Sequence, residues 1–189
     1  MRKQELLDAA IDYVAEHGMA DTSLRQIAAA IGTSHRMLIH YFGSKEGLLD
    51  AATNPPQRWL ENIAKVWTSP LDELGAALIT LLLASWADDE IGPTLRAILQ
   101  TAAHEPSTRE KLRRVVEGSL MGVSQLGVDE HDRLIRSGLI ASQMMGFALM
   151  RYVWKIEPTA SMTDAEAISA IAPNLQRYVN GDLTAAQTK

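Results

Sequence analysis

The chain has 189 residues, enough for one moderate domain or for a small domain joined to a larger one. Apolar residues make up 47%, which supports a buried core and excludes a disordered chain, and the absence of cysteine excludes disulfides, thiolate nucleophiles and thiolate metal ligands. A net charge of −5 excludes a general polyanion binder, so any contact with nucleic acid must come from a local patch.

Helical periodicity dominates, with no alternating strand, tight hairpin, repeat or low-complexity tract. The opening MRKQELLDAA lacks the apolar stretch of a signal peptide. The charge-free runs Gly75 to Ala87 and Ser137 to Met150 fall short of the roughly 20 apolar residues that span a bilayer. A soluble, cytoplasmic protein is expected.

The first helix is predicted from about Lys3 to His17, with Leu7, Ala10, Ile11 and Val14 as its apolar stripe and Gly18 as its stop. Ser23 and Gln26 form a capping box for a short second helix that ends at Gly32. Thr33 or Ser34 caps a third helix through about Tyr41, with Met37 and Leu38 available for packing. Gly43-Ser44 breaks it, and Ser44 caps a fourth. Asn54-Pro55-Pro56 marks an interruption. Further helices are predicted at about Pro55–Thr68, Pro70–Ala87, Pro93–His104, Ser107–Leu126, Glu130–Lys155 and Thr163–Asn180. Gly127 and Gly181 mark ends, and Thr184 to Lys189 reads as a frayed tail.

The 24 residues from Thr22 to Lys45 contain no acid, yet hold Arg25, Arg36, Lys45, His35 and His40. Two short helices joined at Gly32 make a helix-turn-helix. Ala28 is small where the helices nearly touch, Gly32 suits a positive φ, and Ile27, Ile31 and Leu38 fill the wedge. The second helix then projects His35, Arg36 and His40 toward base edges and phosphates of a major groove, where an acid would repel phosphate. Arg25 and Lys45 flank it as backbone clamps, and Ser34 and Ser44 bring hydroxyls and helix N-termini. On residues alone, an ordinary three-helix bundle with a polar face remains the alternative.

Thr22-Ser-Leu-Arg-Gln-Ile-Ala-Ala-Ala-Ile-Gly-Thr-Ser and Tyr41-Phe-Gly-Ser-Lys-Glu-Gly-Leu-Leu49 resemble the DNA-binding signature of the TetR family of bacterial repressors. The matched residues are Thr22, Ile27, Ala28, Gly32, Ser34, Phe42, Ser44, Lys45, Glu46 and Leu48, in about a quarter of the chain. A weaker resemblance, to C-terminal bodies of actinobacterial members, covers Arg151-Tyr-Val-Trp-Lys-Ile-Glu-Pro and Ala172 to Leu183. The chain departs from the family pattern at Arg36, where a small residue is frequent, at Met37, where Thr is, and at Ile39. Position 39 is frequently a Tyr that contacts phosphate; Ile39 cannot donate that hydrogen bond, and His40 or Tyr41 is left to replace it.

The helical periodicity and its breaks predict an all-α fold of about nine helices, a small three-helix unit followed by a larger helical body; the resemblance makes residues 1–46 a DNA-binding domain and residues 47–189 a ligand-binding and dimerisation body. The DNA-contacting set is then Thr22, Arg25, Thr33, Ser34, His35, Arg36, His40, Tyr41, Ser44 and Lys45. It implies a repressor that binds a palindromic operator and is released by a small, largely apolar molecule, with no cofactor and no metal. A homodimer is also expected physically, because specific affinity generally needs two half-sites about 34–36 Å apart. The ridge Gly138, Ser142 and Gly146, with Met145, Leu149 and Tyr152, is the expected interface, joined by Ile168, Ile171 and Leu175 of the last helix into a four-helix bundle. Both helices could instead be monomer core. Chamber candidates are Trp59, Ile63, Trp67, Leu82, Trp86, Met121, Gln143, Met144 and Phe147, though each also suits plain core. Arg109, Arg113 and Arg114 read as a solvated face, with a bound anion as the lesser reading. A break at Pro55 could hinge the DNA-reading unit against an effector site near Trp59.

An enzyme is not expected. There is no Gly-x-Ser-x-Gly elbow, His-Glu-x-x-His or phosphate-cradling glycine loop, and His17, His35, His40, His104 and His131 are scattered. The rival from another class is a helical lipid- or protein-binding module with a vestigial helix-turn-helix, suggested by Met37 and Ile39.

Overall fold

The computed structural model describes residues 3–17, 22–121 and 129–183, apart from the side chains of 119–121. The expected stops at Gly18 and Gly127, the side chain of Met121 and the tail from Thr184 lie outside the described residues. Among the described residues the chain is helical without strands, as the sequence predicts. The helices are α1 (Lys3–His17), α2 (Leu24–Ala30), α3 (His35–Phe42), α4 (Lys45–Ala52), α5 (Gln57–Val66), α6 (Leu74–Ala87), α7 (Ile91–Ala102), α8 (Pro106–Met121), α9 (Glu130–Ala148) and α10 (Asp164–Asn180). A π-helical turn, Leu149–Val153, follows α9. Two compact units emerge, Met1–Pro56 with Asp88–Val115, and Gln57–Ala87 with Val116–Lys189.

The first unit is built around α1, whose Leu6, Ala10 and Val14 are wholly buried. These residues recur at i, i+4 and i+8, so the stripe is turned slightly from the predicted one: Leu6 replaces Leu7 at its centre, and Leu7 and Ile11 lie at its edges. Helix α1 packs on α7 and α4, and Ala97 of α7 joins Ile27, Leu38, Leu48 and Leu49 in the core. Behind α4, the buried Thr53 donates its hydroxyl to the Leu49 carbonyl at 2.8 Å and meets Thr108 of α8 at 3.4 Å. Lys111 donates to the Asp50 carbonyl and pairs with its carboxylate at 2.7 Å.

The predicted arginine face of α8 has structural work. Arg109 donates to the carbonyls of Ala102 and Ala103 at 3.1 and 3.0 Å, closing the C-terminus of α7 where carbonyls lack helical partners. Arg113 pairs with Glu110 at 2.6 Å, and Arg114 approaches the same carboxylate at 3.9 Å. These contacts favour the solvated-face reading over a bound anion.

In the second unit α6 packs along α10. Their approach is close at Gly75, where a Cβ would stand 2.5 Å from the Ala172 carbonyl oxygen and 2.6 Å from the Gln176 nitrogen. The Gly75 N–H donates to Gln176 Oε1 at 2.8 Å, and Gln176 Nε2 donates to the Leu71 carbonyl at 2.8 Å. Arg136 of α9 ties α10 from its other end, donating to the Tyr178 and Gly181 carbonyls and to Asp132. The helix predicted to run through Lys155 instead leaves α geometry at Leu149, and the Trp154 N–H reaches back to the Leu149 carbonyl at 2.8 Å. Tertiary contacts hold this wider turn. The Arg151 guanidinium donates to the carbonyls of Thr159 and Met162 and pairs with Asp164, and Tyr152 stacks on Trp86 with ring centroids 4.6 Å apart.

Gly75→Ala should therefore be costly although alanine is the better helix former. The new methyl meets backbone rather than a movable side chain, and overpacking of this kind costs about 1–3 kcal/mol or more. Urea unfolding should show a lower midpoint for Gly75→Ala and no comparable loss for Gly138→Ala, whose Cβ would meet nothing within 4 Å.

Candidate nucleic-acid interface and effector-binding body

The reading head is assembled by three caps and two turns. Ser23 starts α2 with the full capping box: its Oγ accepts the Gln26 amide, and Gln26 Oε1 accepts the Ser23 amide at 2.8 Å. Gly32 turns the chain at φ 69°, and the Thr33 N–H returns to the Ala28 carbonyl at 2.8 Å. Ser34 starts α3, its Oγ accepting the Met37 amide at 3.2 Å. Gly43, at φ 77°, ends α3, and Ser44 starts α4 by accepting the Gly47 amide at 3.0 Å. Both glycines occupy left-handed backbone that other residues adopt only at a cost.

Successive residues of α3 rotate by about 100°, so the wholly buried Leu38 fixes which residues face out. Arg36 and His40, four apart, form the centre of the outer face; His35, at the start of the helix, is exposed too. Arg25 is exposed in the first turn of α2. Thr22, Thr33, Ser44 and Lys45 are half-buried at the margins, and Ser34 is exposed. Tyr41 is half-buried against the core, its ring edge-on to His40 at 5.0 Å. Met37, expected to be available for packing, is 38% exposed, and Ile39 is 39% exposed. The packing of an eight-residue helix is satisfied by Leu38 with Tyr41 and Phe42, which leaves Met37 outside.

The Ser34 hydroxyl keeps its own hydrogen free to donate after accepting its cap bond. Glu46 is the acid just beyond the acid-free window. Backbone and Ser44 hydrogen bonds hold the Glu46 carboxyl below its usual range.

The chamber candidates divide. Leu82 and Trp86 are buried in α6. Trp59, Ile63 and Trp67 lie half-buried on α5 and its end, and the Trp67 indole N–H is buried without a hydrogen-bond partner. Met144 is half-buried on α9. Gln143 and Phe147 line an open groove of about 390 Å³, shared with Ser142, Gly146, Met150 and Thr159. That groove mixes chamber residues with residues expected at the dimer face.

The dimer candidates divide as well. Gly138, Ser142 and Gly146 form an exposed row, with open space over both glycines. Met145, Leu149, Tyr152 and Ile168 are half-buried. Burial raises the Tyr152 phenol above its ordinary pKa. Ile171 and Leu175 are 8% and 0% exposed within their own chain, on the helix that packs along α6, so they have almost no surface to offer a second copy. Sequence reasoning overlooked Leu134 and Ile135, which are 59% and 45% exposed; Leu134 continues the Gly138 row one turn earlier. Their position four and three residues before Gly138 was the available signal.

Among the described residues, no cluster of three His, Asp or Glu could hold a metal, and no helix is long and apolar enough to cross a membrane.

A family pattern described as bacterial regulatory proteins of the tetR family matches residues 6–52, and one described as the tetracyclin repressor-like C-terminal domain matches residues 72–179. The HTH-type transcriptional regulator BetI of Ectopseudomonas mendocina (strain ymp) is 31% identical over 121 residues, and BetI of Klebsiella pneumoniae (strain 342) is 43% identical over 51 residues. The first alignment covers 61% of each chain, so the protein spans about three fifths of that relative's length; the second covers 27% of this chain and 26% of the other. A TetR-family regulator from Streptomyces coelicolor A3 superposes with a TM-score of 0.63 at 25% identity over 94% of both chains. SmeT, the repressor of the Stenotrophomonas maltophilia multidrug efflux pump SmeDEF, shares the fold with a TM-score of 0.62 at 20% identity, covering 94% of this chain and 89% of that one. With both halves of the pattern present and the helix-turn-helix in its expected geometry, the chain belongs to the TetR family of bacterial regulatory proteins.

Proposed function

We propose that the protein is a ligand-responsive, DNA-binding transcriptional regulator, a cytoplasmic repressor that holds a palindromic operator as a homodimer and leaves it on binding a small, largely apolar effector. One observation carries the reading: Leu38 is buried and Arg36 and His40 stand at the centre of the outer face of α3, inside a window without acids. In this reading residues 1–46 contact DNA and residues 47–189 bind effector and a second copy. Arg36 donates bidentately to a guanine, and Arg25, Lys45 and the N-terminus of α4 hold the backbone. The unpaired Trp67 N–H supports an effector with an acceptor group among otherwise apolar surroundings. No catalytic role is assigned.

The exposed Met37 and Ile39 favour one rival, a lipid- or protein-binding module. Salt decides between the two. Selection from random duplexes, followed by titration of the winner, should show affinity falling with a log–log slope of about −0.9 per phosphate contact. A slope near zero would exclude the DNA reading. Lys45→Ala should weaken all duplexes alike and flatten the slope by about one unit, whereas Arg36→Ala should relax selectivity at one base position by about 1–3 kcal/mol.

The exposed Leu134, Gly138, Ser142 and Gly146 row supports self-association through α9. Ser142→Arg should give a monomer by sedimentation with an unchanged helical circular dichroism spectrum, and operator affinity should fall with it. A dimer that survives this change would place the interface elsewhere.

The first stretch of that unit ends at Pro56, where the chain first passes into the second unit, which supports Asn54-Pro55-Pro56 as one joint through which effector binding changes DNA affinity. A Pro55→Ala, Pro56→Ala double variant should bind operator but respond less to effector; an unaltered response removes the joint from the mechanism.

A further inference from the structure

Among the described residues of the first unit, Met37 and Ile39, 38% and 39% exposed, are the only large apolar side chains on the open surface. Both lie on α3, an eight-residue helix that already buries Leu38 and packs Tyr41 and Phe42 against the core. Their placement is regular. On a helix turning about 100° per residue, Ile39 lies about 80° to one side of the Arg36–His40 centre and Met37 about 80° to the other. The outer face therefore has a polar centre and two apolar flanks.

A lipid or a protein groove would suit an apolar centre with a charged rim, which is the reverse arrangement. The floor of the DNA major groove suits the arrangement found. It offers guanine acceptors to an arginine, and its one apolar group is the thymine 5-methyl. We propose that Met37 and Ile39 are specificity-determining residues that pack on thymine methyl groups flanking the guanine contacted by Arg36. This rests on the DNA-binding reading above. It also gives position 39 a task that needs no hydroxyl: where the family pattern frequently has a phosphate-contacting Tyr, Ile39 reads a base.

The test is chemical and leaves the protein intact. In the selected operator, each thymine is replaced in turn by deoxyuridine, which removes the methyl and keeps every hydrogen-bonding group. Affinity should fall about fourfold at one or two thymines per half-site, the transfer value of one buried methyl, and stay level at the others. In Ile39→Ala and Met37→Ala proteins, each checked for an unchanged melting temperature, the matching thymine should become insensitive to the replacement. A flat uridine scan of the wild-type protein, or sensitivity that persists in both variants, overturns the assignment while leaving DNA binding in place. Failure of the selection to enrich any duplex removes the DNA-binding reading and this assignment with it.

Discussion

Burial of one leucine sets the orientation of everything that α3 presents outward. An eight-residue helix has too few internal hydrogen bonds to persist by itself, so α3 exists because Leu38 enters a core built by α1, α2 and α4. That contact fixes the rotation of the helix as well as its existence. Rotating α3 by one residue's worth would bury Ile39 or Met37 and carry Arg36 off the outer face. The capping serines and the two left-handed glycines then fix where the helix begins and ends.

Local chemistry was the part of this fold most legible from sequence. Ser23 with Gln26, Gly32, Ser34, Gly43 and Ser44 are signals complete within four residues, and each functions as its type suggests. Polar and cationic residues of α3 were legible too, because an amphipathic period survives even in eight residues. Met37 was not. Periodicity names apolar residues without saying how many of them a short helix can bury, and here Leu38, Tyr41 and Phe42 already fill the space that the neighbours leave. The extension of α9 through Lys155 was misjudged for a similar reason. Arg151 finds its partners at Thr159, Met162 and Asp164, and Tyr152 finds Trp86 sixty-six residues earlier in the chain. No local window contains the Tyr152–Trp86 pair, and Arg151's partners lie beyond the reach of helical i+3 and i+4 spacing.

The body shows the same division between local and distant information. Gly138, Ser142 and Gly146 were recognisable as a ridge because they are spaced on one helix, and they are exposed as a row. Ile171 and Leu175 have equally good spacing, yet they are buried on the helix that packs along α6. The approach of α10 to α6 depends on Gly75 and Gln176, a pair separated by 101 positions. An apolar stripe on a helix states that something covers it; only the three-dimensional pairing states whether that cover is the same chain.

The membership of α7 in the first unit has a consequence for how such proteins can be recombined. Ala97 completes the core that holds α1 and α3, and Arg109 closes the end of the same helix, so the reading head is made from two stretches of chain separated by α5 and α6. A chimera joined at residue 46 would receive its α7 from the other parent. The new pairing would face α1 with a helix selected against a different partner, and the fault would appear as a soft reading head rather than as altered base preference. If α3 reads the bases as proposed, sequence specificity is exchanged between relatives more safely by changing only its outward residues, or by moving residues 1–56 together with 88–115 as a single discontinuous cassette.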